Sequence, residues 1–252
     1  MQRPMGVRGR RNLSPSAIAA VAGTYDPAVL SLSHWNRASF TASPWAGTAS
    51  AGSSGSRSLT EATNPPASGA AVNGYTPADF DGTDDILASA TDTATIFGSS
   101  GSFAALVYID TAPAASGTDY ADGTLLSDNT SAEVSIGVVD EAGTSKLVAC
   151  VLEGGTTYIR AEVACTTGAW HLVQCKWDGA NLKVRVDSGS WTSTACGTVT
   201  LTAGSQPTVG SSYVGLQLDG KVLEIMTSNT ALADGDFTNL ITYVNSRYAL
   251  SL

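Results

Sequence analysis

Charge is the scarcest ingredient of this sequence. Only 14% of its 252 positions are Asp, Glu, Lys or Arg, where an ordinary soluble domain has about 25%. The 13 bases against 22 acids leave a formal net charge of −9, so there is no overall basic balance for wrapping nucleic acid. Long apolar runs are missing too. No stretch of about 18 residues suits a membrane span, and no heptad pattern suits a coiled coil. Histidine occurs twice, at His34 and His171, and aromatics make up 7%. Four cysteines, Cys150, Cys165, Cys175 and Cys196, lie at intervals of 15, 10 and 21 residues, which fit neither a C-x-x-C metal knuckle nor a compact disulfide framework. They read as thiols of a core or of strand ends, Cys175 sharing a strand face with Val173 and Trp177.

Alanine, serine, threonine and glycine fill the space that charge leaves, a composition suited to short strands and many turns. What charge there is divides unevenly. Residues 1–60 hold Arg3, Arg8, Arg10, Arg11, Arg37 and Arg57 against Asp26 alone, so they carry +5 and the rest −14. The asymmetry predicts an arm and a body with different partners. The arm with its linker is assigned to residues 1–75 and the body to residues 76–252. Within the arm, Ser14 to Gly23 reads as a short helix with Ser14 as N-cap, Pro15 in the first turn and Gly23 as a left-handed stop. Leu32, Trp35 and Phe40 have nothing local to pack on, so they must lie on the body or on another subunit. Ala46 to Ser58 is Ala, Gly, Ser or Thr at every position except Arg57, a linker with nothing to bury. The arginines near the start are followed by Asn12-Leu13-Ser14-Pro15 and not by a hydrophobic region with a cleavage site, which predicts synthesis and assembly in a cytoplasm.

From about residue 76 short apolar alternations are separated by turn residues. Strands are expected at Asp79–Ala88, Ser102–Asp110, Gly123–Ser127, Ala132–Val139, Lys146–Leu152, Thr157–Cys165, Trp170–Trp177, Leu182–Val186, Thr198–Leu201, Tyr213–Leu218 and Lys221–Ser228. Glu153-Gly154-Gly155, Asp178-Gly179-Ala180-Asn181, Asp187-Ser188-Gly189 and Asp219-Gly220 supply the turns between them. That spacing predicts an all-β chain, an antiparallel β-sandwich. One helix is expected near the end, capped by Asp234, with Phe237, Leu240, Ile241 and Val244 on one stripe.

Three stretches carry a resemblance: Asp79-Phe80-Asp81-Gly82-Thr83-Asp84-Asp85-Ile86-Leu87, Ser102-Phe103-Ala104-Ala105-Leu106-Val107-Tyr108, and Trp170-His171-Leu172-Val173-Gln174-Cys175-Lys176-Trp177-Asp178-Gly179. With Val184 to Gly189 and the closing Tyr243 to Leu250, they resemble the laminin-G-like, concanavalin A-like jelly-roll family over roughly residues 76–252. The resemblance implies a jelly-roll sandwich and no particular function. The segment Trp35-Asn36-Arg37-Ala38-Ser39-Phe40-Thr41-Ala42-Ser43-Pro44-Trp45 resembles the lead-in of tailed-bacteriophage virion proteins, which implies a place in a virion.

Chemistry is thinly represented. A glycosidase of this fold needs two carboxylates about 5–9 Å apart across one bond, yet Glu162 and Glu224 each stand alone and no strand has acids at i, i+2 and i+4. There is no G-x-S-x-G elbow or phosphate loop, and His171 reads as a strand residue and not as a base. Asp81, Asp84 and Asp85 have the density of a Ca²⁺ loop, but an ordinary turn between strands accounts for them better. Tyr120 beside Asp119 and Asp122, and Trp191 after Ser188-Gly189-Ser190, are the candidate glycan contacts, since rings stack on sugars while carboxylates bind hydroxyls. The expectation is therefore a non-enzymatic structural protein of a tailed-phage virion, without cofactor or metal. It would be a capsid decoration or short surface appendage held to other virion proteins by residues 1–75, through Arg3, Arg8, Arg10, Arg11, Trp35 and Phe40. It would display a lectin-like sandwich and form a homo-oligomer, with neither membrane nor nucleic acid as partner. The alternative is a tail or fibre component, or a stand-alone carbohydrate-binding module for host-surface glycans.

Overall fold

The run Ser102 to Tyr108 is apolar at nearly every position, whereas Thr157 to Ala164 alternates; the two patterns report strands covered on both faces and on one. A computed structural model of the chain, describing residues 25–30, 32–37, 39–48, 57–60, 64–115, 123–128, 133–211 and 217–252, shows why. Strand β6 (Gly101–Thr111) sits inside an eight-stranded antiparallel sheet. Its Phe103, Ala105, Val107 and Ile109 enter the main core, while Ala104 and Leu106 face a second apolar layer on the other side. Strand β10 (Thr157–Ala164) edges a seven-stranded sheet, turning Ile159, Ala161 and Val163 inward. Arg160 and Glu162 instead join Glu141 and Lys146 in a partly exposed ion cluster.

The eight-stranded sheet runs β13 (Thr192–Ala195), β12 (Asn181–Val186), β11 (Trp170–Trp177), β6, β15 (Asp219–Ser228), β4 (Ala78–Asp81) and β3 (Ala67–Ser68), and β1 (His34–Asn36) also pairs with β15. The other sheet runs β10, β9 (Thr144–Glu153), β8 (Val134–Glu141), β7 (Thr124–Asp128), β14 (Pro207–Val209), β5 (Leu87–Ser89) and β2 (Leu59–Thr60). Register places Phe103 opposite Cys175 and Ala105 opposite both Val173 and Ile225, so one face of three strands forms a continuous apolar floor. The four cysteines are buried and free; burial drives the Cys165 thiol up to about 12, so it behaves as a small hydrophobe.

Helix α1 (Thr93–Ile96) is a single turn, and helix α2 (Asp234–Tyr248) covers the outer face of the eight-stranded sheet. Phe237, Leu240, Val244 and Tyr248 meet Leu30, Leu32, Leu106, Leu172, Leu223 and Met226. Its N-cap is Ala233, one residue before the expected Asp234; the Asp236 carboxylate accepts the Ala233 N–H at 3.2 Å, the side-chain half of a capping box. Ala249 closes it at φ 55°. Among the described residues no helix is long and apolar enough to cross a membrane.

Three expectations change. First, the division at residue 75 does not hold for the described part of the arm. Phe40 and Trp45 are each 1% exposed, with rings edge-on at 5.9 Å, and with Leu59 they belong to the main core; β1, β2 and β3 extend both sheets. The apolar residues that lacked a local partner find it in the sandwich, and each large ring so buried contributes about 1.5–3 kcal/mol. Second, Asp79–Ala88 is not one strand. At Gly82, φ +74°, the chain leaves β4 and re-enters as β5 in the opposite sheet, a left-handed conformation that favours glycine. Third, Thr198–Leu201 makes only a bridge between Val199 and Glu153. The helix expected at residues 14–23 and most of the strand expected at 213–218 lie outside the described residues.

Candidate functional site

An open pocket with a largely polar lining lies where the N-terminal segment meets the second half of α2. Tyr25 and Asp26 precede a short 3₁₀ turn, Pro27–Val29, whose first amides Asp26 caps by accepting the Ala28 N–H at 3.0 Å. Arg37 follows β1, which is fixed by its pairing with β15. Tyr243, Ser246 and Arg247 stand at i, i+3 and i+4 on α2 and therefore share one face. Together the six residues line an open pocket of about 320 Å³.

Behind its floor lies Glu224, 0% exposed, in the middle of the apolar run Val222 to Met226 of β15. Its Oε1 accepts the Tyr243 hydroxyl at 3.0 Å and its Oε2 the Tyr248 hydroxyl at 2.7 Å. Arg37 in turn meets the Tyr243 hydroxyl, and Arg247 the Tyr248 hydroxyl. A buried carboxylate is thus bracketed by two phenols and two guanidiniums, the arrangement that makes an interior charge tolerable. Burial, then the charge of Glu224, holds both phenols well above the usual tyrosine range. Burial works against the charge of Arg247, but Tyr243, Tyr248 and Glu224 outweigh it and hold the guanidinium above its ordinary value. Arg247 lies 4.1 Å from the centre of the Tyr75 ring, its Nη2 donates to the Arg37 carbonyl at 3.3 Å, and its Nε is buried without a partner. Tyr25 is pushed up to about 12 by burial and by the neighbouring Asp236, so it too keeps its proton.

A second pocket, about 210 Å³, is lined by Asp81, Gly82, Thr111, Pro113, Gln217 and Asp219. Asp81, Asp84 and Asp85 bring carboxylate oxygens within 4.8 Å of one another. Two of these acids also hold the turn between the sheets: Asp85 accepts the Asp81 N–H at 2.8 Å and Asp81 the Thr83 N–H at 2.8 Å. Desolvation raises the Asp85 carboxyl and the charges of Asp81, Asp84 and Asp79 add to it, against the pull of the Asp81 amide.

The residues singled out from sequence fall elsewhere. The half-buried Trp191 packs edge-on against Phe237 at 5.1 Å, with the Arg185 guanidinium 4.6 Å from its centre. Its Nε1 is buried without a partner, and α2 packs against the ring through Phe237 while the residue stays partly exposed. Tyr120, Asp122, Arg3, Arg8, Arg10 and Arg11 lie outside the described residues. Trp35 pairs through its backbone with Met226 in β1, and Phe40 is a core residue. His171 is a β11 residue as expected, linking Thr166 Oγ1 at 2.9 Å from Nε2 to Asp187 Oδ2 at 2.7 Å from Nδ1. Sequence reasoning missed Tyr25, Glu224, Tyr243 and Arg247, and weighed Arg37 only as part of a basic arm. A single acid inside Val222-Leu223-Glu224-Ile225-Met226 is the one local sign, because such a charge must find donors from elsewhere.

Two antiparallel sheets with one C-terminal helix define the class: a concanavalin A-like β-sandwich. No family model and no curated protein matches the sequence. In three dimensions, Trypanosoma rangeli sialidase in complex with the inhibitor DANA aligns with a TM-score of 0.57 at 16% identity, covering 90% of this chain and 35% of that one. Trypanosoma rangeli sialidase without a named ligand gives 0.56 at 16%, covering 84% and 32%. Domain 4 of AbnA, a GH43 extracellular arabinanase from Geobacillus stearothermophilus, in complex with arabinotriose, gives 0.49 at 14%, covering 76% and 84%. The chain spans about a third of the sialidase chains it matches, and at these identities the likeness establishes fold.

Proposed function

We propose that this chain is a non-catalytic β-sandwich module that binds a saccharide in the pocket between its N-terminal segment and α2. The observation that carries the reading is the lining itself: tyrosines for the apolar face of a sugar, guanidiniums and a serine hydroxyl as donors, and Asp26 as acceptor, converging in a space of about 320 Å³. Such a mixture of aromatic body and few fixed polar groups is what small-ligand sites use. The lack of catalysis is argued from the carboxylates. Asp26 is the one acid lining the pocket, and both Glu224 oxygens are held by tyrosine hydroxyls, so the pair of acids that most glycosidases set across the bond is missing; a tyrosine nucleophile of the sialidase kind is disfavoured as well, because burial and the charge of Glu224 hold the proton on Tyr243. The sialidase solved with sialic acid shares the fold at 15% identity, which agrees with a saccharide ligand; the reading rests on the pocket.

A narrower reading sets the module on a tailed-phage particle, as a capsid decoration or short appendage anchored through its first arginines, Arg3, Arg8, Arg10 and Arg11. The +5 charge of residues 1–60 against −14 elsewhere favours it, together with the resemblance of Trp35 to Trp45 to virion lead-ins; presence of the chain in purified particles tests it. For the binding reading, the test is a glycan array followed by calorimetry on the best saccharide. Ser246 is exposed at the pocket, so Ser246→Trp fills it without touching the core. The expected result is an affinity at least about tenfold weaker with an unchanged Tm; full binding by Ser246→Trp, or no saccharide bound by the parent chain, defeats the proposal.

A further inference from the structure

Strand β10 ends the seven-stranded sheet, paired with β9 on one side and, among the described residues, with no strand on the other. Its register on β9 runs without a bulge from Thr157 opposite Glu153 to Ala164 opposite Lys146, and the next amide, that of Cys165, donates to the Ser145 carbonyl at 3.0 Å. Because an antiparallel ladder alternates, the odd-numbered residues of β10 direct their N–H and C=O at β9, whereas Arg160, Glu162 and Ala164 direct theirs away from it. Around Ala161 the chain reads Ile159-Arg160-Ala161-Glu162-Val163, the same chemistry in both directions except that a base answers an acid. Ile159 and Val163 face the main core yet stay partly exposed, and Ala161 is buried between them. The side chains of Arg160 and Glu162, on the outer face, are 30% and 38% exposed. Charges on an edge strand usually blunt it against other strands; here their order makes the edge complementary to itself.

We infer that β10 pairs antiparallel with β10 of a second copy about a two-fold axis at Ala161, joining two seven-stranded sheets into one. In that register Arg160 lies opposite Glu162 of the second copy and Glu162 opposite its Arg160, each pair exchanging backbone hydrogen bonds and facing base to acid on the outer surface. Ile159 meets Val163 of the second copy on the inner face, and Ala161 meets Ala161 at the close, non-hydrogen-bonded position, where small side chains fit. Sliding the strands by two residues sets Arg160 on Arg160 or Glu162 on Glu162. Sliding them by one turns the outward amides onto groups already bound to β9, so charge and ladder select the same register. The cluster of Glu141, Lys146, Arg160 and Glu162 is neutral by itself, so two such edges meet without net repulsion. A single strand pair lies at the small end of specific interfaces, below about 1,200 Å², which makes the dimer a reversible one. The inference is independent of the saccharide reading.

Sedimentation velocity of the full chain across a range of concentrations tests this, with a monomer–dimer equilibrium expected at a Kd of about 1–100 µM. Glu162→Arg and Arg160→Glu each set like charges across the axis and are expected to weaken the dimer at least about tenfold. Mixed in equal amounts, the two variants restore it as a heterodimer, because every base then faces an acid again. On the unaltered chain, amide exchange read by NMR is expected to slow with rising concentration at Arg160 and Glu162 and to stay constant at Ala161 and Val163, whose amides already face β9. A chain that remains monomeric up to about 500 µM, a dimer that both charge reversals leave intact or that their mixture fails to restore, or exchange at Arg160 and Glu162 that ignores concentration, overturns the inference.

Discussion

Gly101 opens β6 directly against Trp177, and a β-carbon added there would lie 2.4 Å from the ring's Cζ2. Trp177 has no freedom to give way, being 0% exposed and tilted against Phe97 at 5.1 Å. Gly101→Ala is therefore expected to lower stability by roughly 1–3 kcal/mol through overpacking, at about 2–4 °C of Tm per kcal/mol for a chain this size; thermal unfolding followed by circular dichroism measures it. Glu224 makes the complementary point, since its burial is tolerated because four polar side chains from two separate stretches surround it. Gly101 carries no local sign of its constraint, and Glu224 shows only that it needs donors, not where they come from. The glycine needs a tryptophan some 76 positions away, and the glutamate needs Arg37 from far upstream as well as α2.

At the scale of elements, the turn from β4 to β5 concentrates like charge where the chain changes sheets. The folded-state pKa of Asp85 is raised, so its ionisation opposes folding at neutral pH, and the penalty is lost as pH falls below the unfolded value of about 3.9. Asp85→Asn, which keeps an oxygen for the Asp81 amide, is expected to raise Tm by about 1–2 °C at pH 7 and to leave it unchanged below about pH 4. A melting series across pH reads both arms. Elements with a strong period were legible in sequence: β6, β10, β11, β12 and α2 lie within two residues of their expected bounds because each carries its own apolar pattern. The two- to four-residue strands β2, β3, β13 and β14 were not, since their ends are set by pairing with neighbours and not by their own residues. The pocket was illegible for the same reason, being assembled from an N-terminal turn, a strand edge and a helix face that only the fold brings together.

At the scale of the whole molecule, the described residues before 76 are part of the sandwich. Cutting to residues 76–252 removes β1, β2 and β3, leaving the cavities of Phe40, Trp45 and Leu59 in the main core. Since losing one large buried ring costs about 3–5 kcal/mol and a domain has about 5–15 in all, the truncated chain is expected to lose cooperative unfolding. A sharp calorimetric transition near that of the full chain contradicts this. The same interleaving bears on how the protein is made. Strand β15 follows its partners in sequence and pairs with β6, β4 and β1. As the ribosome delivers the chain from its N-terminus, these partners emerge with their common neighbour still missing. The eight-stranded sheet therefore closes only once the residues up to Ser228 have emerged, and until then the nascent chain holds open strand edges of the kind that call for chaperones.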